Sequence, residues 1–101
     1  MISFFLMTPR EVAGYIAKQA QAKRLSLNLS QKTLSERASV SFGVLKKFER
    51  TGKISLESLL KIALSLGALE DFKNAFQPTP PEHFGSLDDL LKDKKRKRGQ
   101  Q

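Results

Sequence analysis

The chain contains no cysteine and a single histidine, His83. Disulfides, cysteine-ligated zinc and thiol chemistry are therefore excluded, and one imidazole is too few to build a metal site. The sequence also shows no paired carboxylates and no Ser/His/Asp arrangement that could support catalysis. We therefore predict a protein that is not an enzyme, has no metal site and needs no cofactor. The absence of cysteine suits a reducing cytoplasm.

The chain also lacks an apolar run long enough to cross a bilayer. Residues 1–7 (MISFFLM) are apolar, but they are too few to span a membrane and no basic segment precedes them. We interpret them as an N-terminal arm packed on the domain or on a partner, or as an extra segment before an internal start at Met7. No membrane role is expected.

No segment has the pattern of a β-strand, and there is no internal repeat. The chain of 101 residues, 40% hydrophobic with seven Phe, can fill one small core. Apolar periodicity and end signals predict an all-α domain with five helices over residues 9–25, 31–38, 42–50, 56–66 and 69–76.

Helix start signals are clear. Thr8 and Glu11 have the spacing of a capping box, and a serine precedes each of the next three helices, at Ser30, Ser41 and Ser55. Two apolar stripes are predicted to face the core. On the first helix the stripe is Val12, Ile16 and Ala20, and on the fourth it is Leu56, Leu59, Leu60, Ala63 and Leu66.

The formal net charge of +8 indicates a polyanionic partner, but the charge is unevenly placed. Residues 92–98 (KDKKRKR) alone contribute +5, so the rest of the chain is only mildly basic. The Pro-rich stretch 77–81 is the one convincing boundary. We predict three segments: an apolar arm over 1–7, a domain over 8–77, and a Pro-rich linker with an amphipathic, basic tail over 78–101.

The most informative stretch is 29–53 (LSQKTLSERASVSFGVLKKFERTGK), in which two short helices meet at a three-residue joint. Once Leu45 and Phe48 are buried, the outer side of the second helix carries lysines. Such a helix pair fits a DNA major groove. The predicted DNA contacts are Gln31, Ser41, Phe42, Gly43, Lys46, Lys47, Arg50, Thr51 and Lys53. The alternatives are that the cations form an ordinary solvated face and that Phe42 is an ordinary surface aromatic.

Residues 10–67 resemble the Cro/lambda-repressor-like, or Xre-type, helix-turn-helix domains. The matching residues, in register, are Leu29-Ser30-Gln31, Leu34, Ala38, Val40-Ser41, Leu45, Phe48-Glu49-Arg50, Leu56, Leu59-Leu60-Lys61-Ile62-Ala63 and Leu66-Gly67. The resemblance implies five helices, a homodimer on a palindromic operator, and the third helix as the recognition helix.

The resemblance also assigns roles by position. Gln31 matches a glutamine that contacts phosphate and orients the site, whereas Phe42, Gly43 and Lys47 occupy base-reading positions. Arg24 and Glu49 match an internal salt bridge. The chain departs from the family at positions 42 and 43, which are usually polar, so lysines or DNA shape must supply more of the reading.

Two further surfaces are predicted. Leu69, Phe72 and Phe76 are interpreted as a dimer contact or, alternatively, as the end of the core. Residues 84–98 are interpreted as a solubilising tail, an additional DNA-binding arm, or an element that docks on a partner through Leu87, Leu90 and Leu91. We favour docking with auxiliary affinity for DNA.

Within the family, the chain is similar to HipB-type antitoxins, which are encoded with HipA-like kinase toxins, repress their own operon and bind the toxin. The sequence therefore predicts a homodimeric repressor of this kind. A stand-alone or phage-type repressor, and an adaptor that uses the same fold to bridge proteins, are the alternatives.

Overall fold

A computed structural model describes residues 4–78, in which every regular element is helical. It contains four α-helices: α1 (Pro9–Ser26), α2 (Gln31–Ala38), α3 (Phe42–Thr51) and α4 (Leu56–Leu66). Two 3-10 turns flank them, at Phe4–Leu6 and Leu69–Phe72. The all-α prediction is confirmed. The predicted tail, with Leu87, Leu90 and Leu91, lies outside the described residues.

The helix starts follow the predicted caps. The Oγ1 atom of Thr8 accepts a hydrogen bond from the Glu11 N–H at 3.1 Å, and Glu11 Oε1 accepts one from the Thr8 N–H at 2.9 Å. Ser30, Ser41 and Ser55 cap the other three helices through the first of these bonds alone, in which the hydroxyl accepts from the N–H three residues later. Each side chain satisfies an N–H that has no partner within its helix, which fixes where the helix begins.

The core is formed where the four helices meet. Its fully buried large side chains are Leu34, Leu45, Phe48 and Ile62. On α1, Ile16 and Ala20 of the predicted stripe pack against the core while partly buried, and the most buried residue is Ala17, which that stripe omitted. A small side chain at this position lets the neighbouring helices approach α1 closely.

The predicted inner stripe of α4 is wrong at its start. Leu56 is 68% exposed, whereas Ile62, which the stripe omitted, is fully buried. The polar residues of α4 are confined to one side and apolar residues occupy all the rest of its surface, so its periodicity alone does not choose which part of the wide apolar surface is buried. Packing against α2 and α1 determines which face of α4 is buried.

The predicted fifth α-helix does not form, and the domain has four α-helices rather than five. Leu69–Phe72 is a 3-10 turn, and turns continue through Phe76, which has a positive φ of 62° and is fully exposed. Ala68 offers no side chain to cap a helix there. A short segment without a cap or a buried stripe has too little to offset the cost of helix nucleation.

A close contact holds α3 against α1. Gly52 ends α3 with φ +82°, and a Cβ atom at that position would lie 2.8 Å from the carbonyl carbon of Ala13. Only glycine combines this backbone conformation with this approach at little cost. The turn between α2 and α3 has a second left-handed residue, Ser39, with φ 57°.

The N-terminal arm lies partly within the described residues. The ring of Phe4 packs edge-on against Tyr15, with the centroids 5.6 Å apart. This contact agrees with an arm packed on the domain, one of the two interpretations of residues 1–7. Within residues 4–78, no helix is both long and apolar enough to cross a membrane.

Candidate nucleic-acid interface

A buried ion pair lies directly beneath the candidate surface. The Nε and Nη2 atoms of Arg24 donate to the two carboxylate oxygens of Glu49 at 2.7 and 3.0 Å, and Nη1 donates to the Leu29 carbonyl at 2.8 Å. The two side chains are 8% and 3% exposed. The predicted internal salt bridge is confirmed, and it joins the end of α1 to α3.

Gln31 belongs to the same network. Its Nε2 atom donates to Glu49 Oε1 at 2.9 Å, and the side chain is partly buried at the start of α2. Because its amide nitrogen is held, the glutamine has a defined position relative to α3. This is the orienting role that the resemblance implies.

The outer side of α3 carries a cationic face. Gly43, Lys46, Lys47 and Arg50 are all exposed and recur at i, i+3, i+4 and i+7, so they share one face of the helix. Leu45, Phe48 and Glu49, all buried, occupy the opposite side. We call Gly43, Lys46, Lys47 and Arg50 the recognition face. A Cβ atom at Gly43 would meet nothing within 4 Å, so the N-terminal end of the face is open.

An aromatic side chain borders the recognition face. Phe42 is 45% exposed, and the Nζ atom of Lys46 lies 5.2 Å from the centre of its ring. This cation–π contact restricts a flexible lysine and places a positive charge beside an apolar surface. On the other flank, Val44 is 40% exposed. Val44 was not among the outward-facing residues of α3 predicted from the sequence, although its position one turn before Phe48 is evident there.

Two predicted contacts have their hydroxyls engaged within the fold. Ser41 Oγ accepts from the Val44 N–H at 3.0 Å, which caps α3. Thr51 Oγ1 donates to the Lys47 carbonyl at 2.7 Å and accepts from the Lys53 N–H at 3.1 Å, which shapes the exit from α3. These bonds set the ends of α3.

Arg10 is a further cation at this surface that the sequence did not indicate. Together with Ala13 it lines a cleft beside Thr51 and Lys53. The close contact at Gly52 brings the start of α1 to the end of α3, so only the tertiary structure unites these residues. A polyanion that contacts the end of α3 would therefore also lie near α1.

The three predicted dimer residues lie on different surfaces. Leu69 lines a groove with Leu56, Leu60 and Leu64 of α4. Phe72 lines a separate cavity between α1 and α4, and Phe76 points into solvent. The three residues therefore do not form one continuous patch on the protomer.

A family model for helix-turn-helix domains matches residues 21–71, from the second half of α1 to the 3-10 turn after α4. The match covers half of the chain, and the chain belongs to this family, whose members are of the Xre/lambda-repressor-like type. The family defines DNA-binding transcription regulators, a class that is typically not enzymatic. None of the curated proteins compared with the chain matches it significantly.

Proposed function

We propose that this protein is a transcriptional repressor that binds a palindromic operator as a homodimer and inserts α3 into the major groove. The observation that carries the proposal is the recognition face. Three cations follow an open glycine along the solvent side of a helix whose other side is buried. The domain that performs this function is proposed to extend over residues 8–77.

Base reading is assigned to the exposed side of α3. Lys46 and Lys47 can donate to guanine O6 and N7, and Phe42 can make apolar contact with a thymine methyl group. The cation–π contact holds Lys46 beside Phe42, so the two side chains act on neighbouring bases. Gly43 contributes no side chain and allows the helix to approach the base edges closely.

Phosphate contacts are assigned to both sides of the groove. At the start of α2, Gln31 and the free N–H groups of the helix can bind one phosphate. The phosphate contacts on the other side of the groove are assigned to Ser41, Arg50, Thr51 and Lys53. Arg10 adds a further phosphate contact from α1. These contacts fix the orientation of the protein without reading sequence.

The first experiment is a footprint on the DNA upstream of the protein's own gene, repeated across a salt series. We expect a protected palindrome. For Lys47→Ala combined with Arg50→Ala, we expect binding to be lost while the circular dichroism spectrum is retained. Each lost phosphate contact should reduce the slope of log K against log salt by about 0.9.

The matched control is Lys23→Ala combined with Lys73→Ala, which removes the same charge from exposed positions away from α3. Lys23 lines the cavity between α1 and α4, on the other flank of α1 from Arg10. This control should retain the footprint. Equal binding by the two double variants would remove the recognition face from the site.

A second experiment separates recognition from folding. Gly43→Ala should stabilise the protein by about 0.5–1 kcal/mol, because glycine inside a helix is unfavourable and the new methyl group has free space. The same methyl group would stand between α3 and the bases, so we expect operator affinity to fall. Increased stability with unchanged affinity would show that the DNA does not approach Gly43 closely.

We further propose that the repressor is the antitoxin of a HipA-like kinase operon and that Leu87, Leu90 and Leu91 dock on the kinase. The support is the similarity to HipB-type antitoxins together with the spacing of Leu87, Leu90 and Leu91 in the sequence of the tail. Co-purification from the native operon should yield a kinase-sized companion. A protected operator without a companion would favour a stand-alone repressor, and DNA binding without sequence preference would favour an adaptor.

A further inference from the structure

The outer side of α4 presents leucines to solvent. Leu56 and Leu64 are 68% and 65% exposed, Leu69 is 40% exposed, and Leu60 lies between them, partly buried. We call these four residues the leucine face. Within residues 4–78 nothing covers this face, and its side chains line a single groove. Exposed apolar residues that form a contiguous patch are typical of an interaction surface.

Two opposite charges border the leucine face. Glu57 and Lys61 are one turn apart on α4, and the Lys61 Nζ atom lies 4.0 Å from Glu57 Oε2. Their side chains are 84% and 44% exposed, so both remain available to another molecule. Such an exposed pair contributes little to the stability of its own helix.

We propose that the leucine face binds the same face of a second copy, with the two α4 helices antiparallel. The inference rests on the homodimer of the proposed function and names its interface. A two-fold axis requires a self-complementary surface. The spacing Leu56, Leu60, Leu64 is symmetric about Leu60, so an antiparallel pair places Leu56 opposite the partner's Leu64 and Leu60 opposite its own copy.

The charges favour this arrangement over a parallel one. In an antiparallel pair centred on Leu60, Glu57 of each copy lies near Lys61 of the other, and two equivalent ion pairs form. In a parallel pair the charged flank of each helix would face the other flank of its partner, which carries Leu59 and Ala63, so neither charge would meet one of opposite sign. Only the antiparallel pair therefore gains complementary charges across the interface. The charges of Glu57 and Lys61 would therefore determine both which partner binds and that the two α4 helices run antiparallel.

The interface differs from the one predicted from sequence. Leu69 belongs to it, because it lies on the leucine face. Phe72 lies in the cavity between α1 and α4, and Phe76 stands apart in solvent.

The test uses full-length Glu57→Lys and Lys61→Glu chains that differ in mass. Each variant alone brings like charges together across the interface, so we expect at least a tenfold increase in its dimer dissociation constant. When the two are mixed, both contacts become attractive. Native mass spectrometry should then show heterodimers well above the one half expected at random. A random distribution would overturn the proposal, because ion pairs within one helix cannot produce this preference.

A second variant tests the apolar part. Leu64→Glu changes a side chain that is mostly exposed, so the fold should survive, and circular dichroism checks this. Light scattering should show a monomer, whereas the control Phe76→Glu should remain a dimer. An unchanged dimer for Leu64→Glu would place the interface elsewhere and overturn this inference alone. A wild-type monomer at all concentrations would overturn the homodimer of the proposed function as well.

Discussion

The buried carboxylate of Glu49 provides the sharpest test of how this fold is held together. Its two oxygens accept three hydrogen bonds, two from Arg24 and one from Gln31. In Glu49→Gln one oxygen becomes an NH₂ group. At least one donor then faces another donor, and the Arg24 guanidinium loses its counter-charge in a site where both side chains are less than a tenth exposed.

The expected loss is large for a domain of this size. Removing one partner of a buried pair costs about 3–5 kcal/mol, because the remaining charge is uncompensated. The total stability of small domains starts near 5 kcal/mol. We therefore expect Glu49→Gln to be substantially unfolded at 37 °C, with a Tm lowered on the order of 12–40 °C.

The measurement is urea unfolding followed by circular dichroism, with Glu36→Gln as the control. Glu36 is an exposed carboxylate on α2, and its substitution should change stability by no more than about 0.5 kcal/mol. Replacing both Arg24 and Glu49 by methionine should recover much of the loss, since no unpaired charge remains. A loss below about 1 kcal/mol for Glu49→Gln would refute the view that this pair is buried and mutually dependent.

Three smaller predictions concern the ends of the helices. Gly52→Ala should destabilise the fold by roughly 2 kcal/mol or more, because the new methyl group clashes with the Ala13 backbone and alanine is strained at a positive φ. Gly67→Ala is the control for the strain alone, because Gly67 has φ +76° and free space around it, and it should cost about 1 kcal/mol. Ser41→Ala removes the cap of α3 and should cost about 1 kcal/mol in urea unfolding. Ser39→Gly relieves a positive φ but adds chain entropy, so a gain of about 0.5 kcal/mol is expected; a loss would mean that the serine side chain contributes to the turn.

Local signals predicted the helix boundaries well. Each serine cap and the capping box at Thr8 involve residues three apart in sequence, so the pattern is contained in a single turn. The Arg24–Glu49 pair was also anticipated, although only the family resemblance linked two residues so far apart. Where geometry is local or shared by a family, sequence reasoning is sufficient.

The errors occurred where tertiary contacts decide. In α4, the apolar surface is wider than the part that is buried, so the choice between Leu56 and Ile62 depended on which neighbours the helix meets. Arg10 reaches the candidate surface only because Gly52 permits α1 and α3 to touch. The fifth helix was predicted from its apolar spacing, but it lacked both a cap and enough core to pack against.

In α3, which has ten residues, the side chains that stabilise the fold and those proposed to contact DNA lie on opposite sides of the helix. Leu45, Phe48 and Glu49 connect the helix to the core and to Arg24, whereas Gly43 and Lys47 have no buried partner. Substitutions on the outer side should therefore change the proposed DNA contacts without disturbing the buried contacts of the helix. The exception is Gln31, which lies at the surface but is held by Glu49. The proposed phosphate contact at Gln31 would touch the same network that fixes α3, and it would then couple binding to folding through this one carboxylate.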